Sequence, residues 1–570
     1  MGAPQPAHDD PAPDAPAAAA AREGHHAGES IKATLVSLLI AFILVLVFRA
    51  YVLEAFVIPT GSMAPTLLGR HARFQSDASG FSWAVNSWSE RGRTGERRLQ
   101  AADPVSAAPV DAPAIDSRPG DRILVLKSVY SVIEPRRWDV IVFKNPQKPD
   151  ENYIKRLVGL PGERVWLVDG DVFTAPPGGA WAIARTPERV QRGMWWTLFS
   201  SEASPPTRAS EGEPWTGPWI LEQPGREPSR VATRDVTLSV RAGQEAALRW
   251  DDARWPITDV AAYNLGPMVR SPLTAGSEFA ELFRRQLAGG FPAADLRLTA
   301  SATVRDDRAA LRATLRINNH EFRAEIAGGT ARILMRPSPG EAGPTAEWRT
   351  LAEAAVTPLS VTSARSPARI EFANHDQSLA LSIEGARVLS AEYDWGPFER
   401  LAYATGITVD EARALEATGD VRPVLDASRY SPSRAQWSVA LPLSSPGVDR
   451  EAGVTLRRVG LARGLFYRPA FAEDVVGLPA RGTHPSRIVA LAGSEFFALG
   501  DNSASSKDGR LWEGVNPWIA SLIDASPGVV PRDLLLGRAV FVYFPAPQDV
   551  EVAGRKRSVV PDFGRMRWIR

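Results

Sequence analysis

Apolar residues are distributed along this chain in three different ways, and each predicts a different kind of element. The first is a continuous run. Residues 33–48, ATLVSLLIAFILVLVF, carry no charge, and after Arg49 the apolar run resumes as AYVL to Leu53. A stretch of this length predicts a helix long enough to cross a bilayer. Arg49 would snorkel to the interface and Tyr51 would sit at headgroup level. A cleaved targeting segment is the rival reading, but the run is longer than the usual core of one and follows a long tail, so an uncleaved anchor over 30–54 is expected. Positive charges flank the run on both sides (Arg22, Lys32, Arg49), so charge bias fixes no orientation.

The second pattern is a set of short, mostly apolar runs between turn formers. Ile123-Leu-Val-Leu126, Asp139-Val-Ile-Val-Phe143 and Tyr153-Ile-Lys-Arg-Leu-Val158 are separated by Pro135, Pro146, Pro149 and Pro161-Gly162. They predict the strands of a folded β unit that starts close to the anchor. The same style returns at 496–545. The third pattern is strict alternation. Val236, Leu238 and Val240 alternate, as do Leu296, Leu298, Ala300, Ala302 and Val304; Leu311, Ala313, Leu315 and Ile317; and Leu379, Leu381 and Ile383. Period two places one face of each strand in a core. Many such strands with short turns predict a β-sandwich of concanavalin/laminin-G-like pattern, a scaffold that often binds glycan or protein. Five tryptophans precede it (Trp181, Trp195, Trp196, Trp215, Trp219), and packing of the insert is expected of them more than contact with a bilayer.

Composition narrows the chemistry. The 570 residues carry a net charge of +1, which gives no electrostatic reason to expect nucleic acid. The absence of cysteine removes disulfides, thiolate nucleophiles and thiolate metal sites. With 47 prolines and 45 glycines, turns should be frequent, as a mainly β fold requires. Residues 1–29 are rich in Ala, Pro and small polar residues and are expected to be a disordered tail, with His8, His25 and His26 solvated in it. Residues 70–119 are polar and irregular. Ser76 to Gly80 has knuckle spacing with serine in place of cysteine, so a surface loop is expected there and no metal. The 546–570 tail is basic.

Candidate chemistry centres on IPTGSMAPTLLG, 58–69, just past the apolar run. Its Pro, Gly and Thr residues either punctuate a turn or hold Ser62 out for attack. A serine nucleophile needs a base. His71 is near in sequence, His320 and His375 fall in the alternating region, and His484 lies near the later GDNS segment. Ser62 is not in a G-x-S-x-G elbow. A lysine made neutral by burial is the other base. Lys155 is the candidate, although the strand pattern alone favours a lysine on a solvated face.

Taken together, IPTGSMAPTLLG, GDRILVLK, WDVIVFKNPQKPDENYIKRLVGLPGE and FFALGDNSASSKDGR, in this order and behind an apolar run, resemble the boxes of type I signal peptidase. The resemblance covers roughly 33–70, 119–172 and 490–545, under half of the chain. It implies Ser62 as nucleophile and Lys155 as general base. Thr60 would complete an oxyanion hole with the Ser62 amide, Ser506 would orient the lysine, and Asp501, Asp508 and Arg510 would support that box. Phe56, Ile58, Val142 and Ile154 would line shallow substrate pockets. It implies acyl transfer without metal or cofactor, secretory preproteins with small residues at the cleavage site as substrates, contact with membrane lipid, and a single-pass protein of the cell membrane with its catalytic part outside the cytoplasm.

Two residues depart from the family pattern: Ser503 stands where arginine is frequent and Gly509 where serine is. The larger departure is an insertion of roughly three hundred residues between the lysine box and the GDNS box, which must leave and return at neighbouring points for the core to close. The expected layout is a tail at 1–29, an anchor at 30–54, core at 55–172 with an irregular insert at 71–118, a Trp-rich linker at 173–230, the sandwich at 231–460, core again at 461–545 and the basic tail. The alternative function is a membrane-anchored protein whose sandwich binds glycan or protein while the peptidase core serves as scaffold. Retention of Ser62, Lys155 and Ser506 argues against it. A self-cleaving Ser-Lys regulator is a further alternative, and the anchor and the GDNS box argue against that.

Overall fold

The computed structural model describes residues 2, 17–76, 81–86, 99–112, 117–203, 217–231, 233–265, 268–269, 277–339, 346–443, 451–470, 478–552 and 555–569. His8 and most of the expected N-terminal tail lie outside the described residues. A helix, Ala17–Tyr51, begins inside the stretch expected to be unstructured and runs through the apolar segment. Its side chains from Leu35 to Phe48 stand exposed, Leu44 and Val45 at 62% each. Among the described residues, no helix is long and apolar enough to cross a membrane.

The chain is mainly β. One eight-stranded antiparallel sheet has the order Leu53–Val57, Arg122–Lys127, Leu535–Phe544, Val140–Lys144, Asn152–Gly159, Glu495–Leu499, Val530–Pro531, with Arg567–Trp568 added to Leu535–Phe544. Strands from before and after the insertion therefore interleave in one sheet. Leu535–Phe544 lies between Arg122–Lys127 and Val140–Lys144, and Glu495–Leu499 pairs with Asn152–Gly159. The strand carrying Lys155 is thus a neighbour of the strand that leads into Asp501, and Arg156 meets Asp501 across 345 residues of sequence. Apolar side chains fill both faces: Ile123, Val125, Val140 and Val142 on one, Ile141, Phe143, Leu157 and Trp512 on the other. Burial of both faces explains why these runs read as continuously apolar rather than alternating.

The insertion folds as two antiparallel sheets, of seven and eight strands, around one apolar core. Alternation becomes burial as period two requires: Leu296–Val304 reads buried-intermediate-buried through its first half, and Val236–Val240 buries Val236, Leu238 and Val240. The sheets reach beyond 231–460. Trp196–Ser200 pairs with Ala452–Arg463, and Trp219–Glu222 pairs with Glu245–Trp250. Phe199, Trp219 and Trp250 meet edge to face, so these tryptophans pack the sandwich, and the stretch expected to be a linker supplies strands.

Two further stretches are more ordered than their composition suggests. The polar 70–119 region holds a small sheet of Ser82–Asn86, His71–Gln75 and Ser117–Arg118; the four positions that follow Ser76 in the knuckle-like stretch, 77–80, lie outside the described residues. The basic C-terminus forms a hairpin of Pro547–Val552 with Arg555–Pro561 and returns to the core sheet. Charge holds it there: Arg565 pairs with Asp121 at 3.0 Å, and Arg567 donates to the Thr66 carbonyl at 2.6 Å.

Candidate active site

Strand Leu53–Val57 delivers the chain to Thr60, whose extended backbone precedes a single 3-10 turn, Gly61–Met63. The path is tight. A Cβ on Gly69 would lie 2.0 Å from the Thr60 carbonyl carbon, and one on Gly120 would lie 2.0 Å from the Ile58 oxygen, so both positions need glycine. Asp121 staples the loop. Its backbone carbonyl accepts from Ile58 N at 2.9 Å, and its carboxylate accepts from Leu68 N and Ala546 N, each at 2.8 Å.

The turn presents Ser62 to Lys155. Lys155 Nζ donates to Ser62 Oγ at 3.0 Å, and the two side chains are buried. Lys155 also lies 5.2 Å from the centre of the Tyr153 ring. Loss of hydration pushes the lysine pKa down to about 8; the nearby Asp508 and Asp501 carboxylates oppose this, and Arg510 adds to it. Thr60 Oγ1 lies 3.4 Å from Ser62 Oγ. His71 is elsewhere occupied. Its Nδ1 faces the Gly69 carbonyl at 2.7 Å, and burial lowers its pKa to about 4. His484 binds Ser486 and the Asp420 carbonyl.

Behind the pair are two buried ion pairs. Asp508 holds Arg510 through two contacts, at 2.9 and 2.8 Å, and accepts from Gly500 N at 3.0 Å. Burial alone would raise the Asp508 pKa, but the Arg510 guanidinium outweighs it and holds the carboxylate below its usual range. Asp501 does not pair with Arg510. It binds Arg156 in a fork, at 2.7 and 2.6 Å, and accepts from Thr66 Oγ1 at 2.5 Å. Arg156, next to Lys155, is therefore a structural partner that the sequence reading left without a role. Ser506 is fully buried beside Gly500, and its Oγ makes no hydrogen bond among the described residues, to Lys155 or otherwise. Ser503 Oγ accepts from Arg510 Nη1 at 2.6 Å and from Arg468 N at 2.7 Å.

Phe56, Ile58, Val142 and Ile154 gather in one apolar cluster with Met63 and Leu67, and Val142 stands opposite Ile154 in register. Asn502 was missed. Its backbone N–H donates to the Ser62 carbonyl and its Nδ2 to the Gly61 carbonyl, both at 2.9 Å. It sits inside the quoted GDNS box, so its position was visible, but its partner, Asn264, lies in the insertion, where no motif marks it.

The family model described as signal peptidase, peptidase S26 matches residues 107–175. Signal peptidase I of Pseudomonas fluorescens is 36% identical over 122 residues, 21% of this chain and 30% of that protein. Signal peptidase I of Aquifex aeolicus is 30% identical over 131 residues, 23% of this chain and 32% of that protein. Signal peptidase I of Rickettsia typhi is 27% identical over 152 residues, 27% of this chain and 46% of that protein. The chain thus matches less than half the length of these relatives. The carbohydrate binding module CBM66 from Bacillus subtilis aligns with 29% of this chain and 74% of its own at 11% identity, with a TM-score of 0.18, too low to carry an argument.

Proposed function

We propose that this chain, whose sequence is similar to type I signal peptidase, is a membrane-anchored peptidase that removes signal peptides from secretory preproteins. The observation that carries the reading is the 3.0 Å contact from Lys155 Nζ to Ser62 Oγ, with the lysine depressed to about 8. Roughly a tenth of such amines are neutral at pH 7, whereas an ordinary lysine has almost none in that form.

In the proposed route, neutral Lys155 takes the proton of Ser62 as Oγ attacks the scissile carbonyl. The Ser62 amide and Thr60 Oγ1 hold the oxyanion. The lysine ammonium then protonates the leaving amine, and Lys155, neutral again, takes a proton from the water that hydrolyses the ester and returns it to Ser62 Oγ. The route needs no metal or cofactor. Ser506, which makes no hydrogen bond to Lys155 here, would orient the lysine after a change of side-chain rotamer, while Asp508–Arg510 and Asp501–Arg156 keep the surrounding backbone fixed. An extended substrate beside Phe56, Ile58, Val142 and Ile154 would place alternate side chains in shallow pockets that fit only small residues. The exposed apolar side chains from Leu35 to Phe48 support a single-pass anchor in the cell membrane, with the core on the extracytoplasmic side where preproteins emerge.

Cleavage of a test preprotein in detergent by wild type, Ser62→Ala and Lys155→Ala decides the matter. Cleavage by wild type, lost in both folded variants, is expected. Cleavage that survives Ser62→Ala, or a wild type inert on several preproteins, overturns the reading; the second outcome would leave the sandwich as the place to look for function.

A further inference from the structure

We infer that Asn264, a residue of the insertion, is a positioning residue for the nucleophile and holds the Ser62 turn in place through Asn502. The inference rests on the peptidase reading only for what the positioned hydroxyl does. Asn264 and Asn502 exchange two side-chain amide hydrogen bonds. Asn264 Nδ2 donates to Asn502 Oδ1 at 2.8 Å, and Asn502 Nδ2 donates to Asn264 Oδ1 at 2.7 Å. The second hydrogen of Asn502 Nδ2 goes to the Gly61 carbonyl at 2.9 Å, and the Asn502 backbone N–H goes to the Ser62 carbonyl at 2.9 Å. One residue therefore grips both peptide carbonyls that bracket the Ser62 backbone. Its amide is oriented by the reciprocal pair, since a rotated amide would set donor against donor.

The insertion reinforces this grip. Asn264 N closes a turn on the Ala261 carbonyl at 2.9 Å, and Asn86 N donates to the Tyr263 carbonyl at 2.8 Å, so the pair of residues 263–264 is fixed at its own backbone. The Tyr263 ring lies flush on Gly61, where a Cβ would come within 2.5 Å of its hydroxyl oxygen. Ala261 and Tyr263 also pack with Ala64 and Leu68 of the nucleophile loop. A second contact lies on the other side of the GDNS box. Asp259 Oδ1 accepts from Arg468 Nη2 at 3.0 Å, and Arg468 N reaches Ser503 Oγ, which also accepts from Arg510. The insertion thus braces the nucleophile turn and the box behind the lysine together. Asn264 bonds neither Ser62 Oγ nor Lys155 Nζ, so its effect passes through backbone position.

The test uses the full chain in detergent, with Asn264→Ala and Asn264→Asp, read by amide hydrogen exchange and by kinetics on a test preprotein. In Asn264→Ala, exchange over 60–64 and 500–503 should rise about ten-fold while 152–159 stays at the wild-type rate. The kcat should fall about ten-fold with KM within about two-fold, and the pH midpoint near 8 should persist because Lys155 is untouched. Asn264→Asp keeps the acceptor for Asn502 Nδ2 but sets a carboxylate oxygen against Asn502 Oδ1, so it should loosen 60–64 at least as much as Ala. Adding Asn502→Ala to Asn264→Ala should cost little more than Asn502→Ala alone. Wild-type exchange over 60–64 in Asn264→Ala overturns the inference, as does a rise spread equally over 152–159, which would report general loosening. A wild type that cleaves nothing overturns the peptidase reading instead, and the exchange result still decides the role of Asn264.

Discussion

Lys155 Nζ stands 3.0 Å from Ser62 Oγ with both side chains buried, at 4% and 6% exposure. Burial that brings the amine into contact with the hydroxyl also makes its charged form costly, so proximity and basicity have one cause. With the lysine at about 8, the rate of acylation should climb as pH rises through about 8 and level off above it, because in the proposed route the neutral amine is the working form. The linked effect on folding has a definite sign. Below about pH 8 both folded and unfolded lysines are charged and the folded state bears the full cost of burial. Between about 8 and the ordinary 10.5 the unfolded chain binds more protons, so stability rises with pH. Lys155→Met should therefore abolish cleavage yet stabilise the fold at pH 7, by on the order of 3 kcal/mol, measured by urea unfolding. A Lys155→Met protein less stable than wild type would contradict the assigned burial cost.

The fork between Asp501 and Arg156 is buried almost completely, with side-chain exposures of 0% and 1%. Asp501→Ala would leave a guanidinium uncompensated among Trp138, Thr66 and the core strands. It should cost about 3–5 kcal/mol in denaturant unfolding, and removing Arg156 as well by Arg156→Met should recover part of that loss. If the double variant is no better than Asp501→Ala, the carboxylate contributes mainly through Thr66 Oγ1 and not through the ion pair.

How much of this was legible in the sequence depends on where each partner lies. Strands such as Leu296–Val304 could be read because one face is buried and period two records it. The core strands could be read as strands, but their order could not, because Leu535–Phe544 inserts between two strands that precede it by hundreds of residues. Nothing in the pattern of the 70–119 region or of the basic terminus marked them as pairing into sheets, since their composition is that of a loop and a tail. At the site, Ser62, Thr60 and Lys155 were marked by their boxes and meet in space, whereas Ser506 does not reach the lysine. Asp501 was marked, but its partner is Arg156 and not Arg510. Tyr263 and Asn264 left no trace in the sequence, since an Asn in a turn looks the same whether or not it grips another Asn.

The cluster of Phe56, Ile58, Val142 and Ile154 is packed with Met63 and Leu67, so any pocket there is shallow. Enlarging the cleavage-site Ala of a test preprotein to Phe should abolish turnover, since an overpacked site forces side chains off their rotamers at about 1–3 kcal/mol or more. Equal turnover of the two substrates, measured side by side, would move the binding pockets elsewhere.

A second buried charge cluster sits where the insertion meets the four-stranded sheet that contains Arg164–Val168 and Asp171–Ala175. His375 Nδ1 lies 2.8 Å from Asp376 and Nε2 lies 3.7 Å from Asp295, while Arg400 pairs with Asp169 and Asp171 at 2.8 and 3.2 Å. Burial opposes charging of His375, but Asp376 and Asp295 outweigh it and raise its pKa to about 9. Its stabilising contribution is then fully present below its unfolded value of 6.5 and is lost as pH rises through about 9. Asp295, raised to about 6 first by burial, works in the same direction at lower pH, and Asp376, held low by His375 against its own burial, works in the opposite one. Unfolding free energy should decline from pH 6.5 to about 8, above which the opposite contribution of Lys155 offsets the loss, and His375→Phe should flatten that decline while lowering stability at pH 6.5.

Thr60 offers the sharpest separation between binding and catalysis. Its Oγ1 lies 3.4 Å from Ser62 Oγ, just before the turn that carries the Ser62 amide, and the proposed route assigns both donors to one oxyanion. An oxyanion forms only as the acyl carbon becomes tetrahedral, and a donor aimed at it therefore acts on the barrier rather than on substrate affinity. Thr60→Val keeps the shape of the side chain and removes the hydroxyl. It should lower kcat by about 10²–10³ with KM nearly unchanged. The pH midpoint near 8 should stay, because the lysine environment is intact. Thr60→Ser restores a hydroxyl at the same backbone position and should recover most of the loss. If Thr60→Val instead raises KM at constant kcat, the hydroxyl binds substrate in its ground state, and the oxyanion would rest on the Ser62 amide alone.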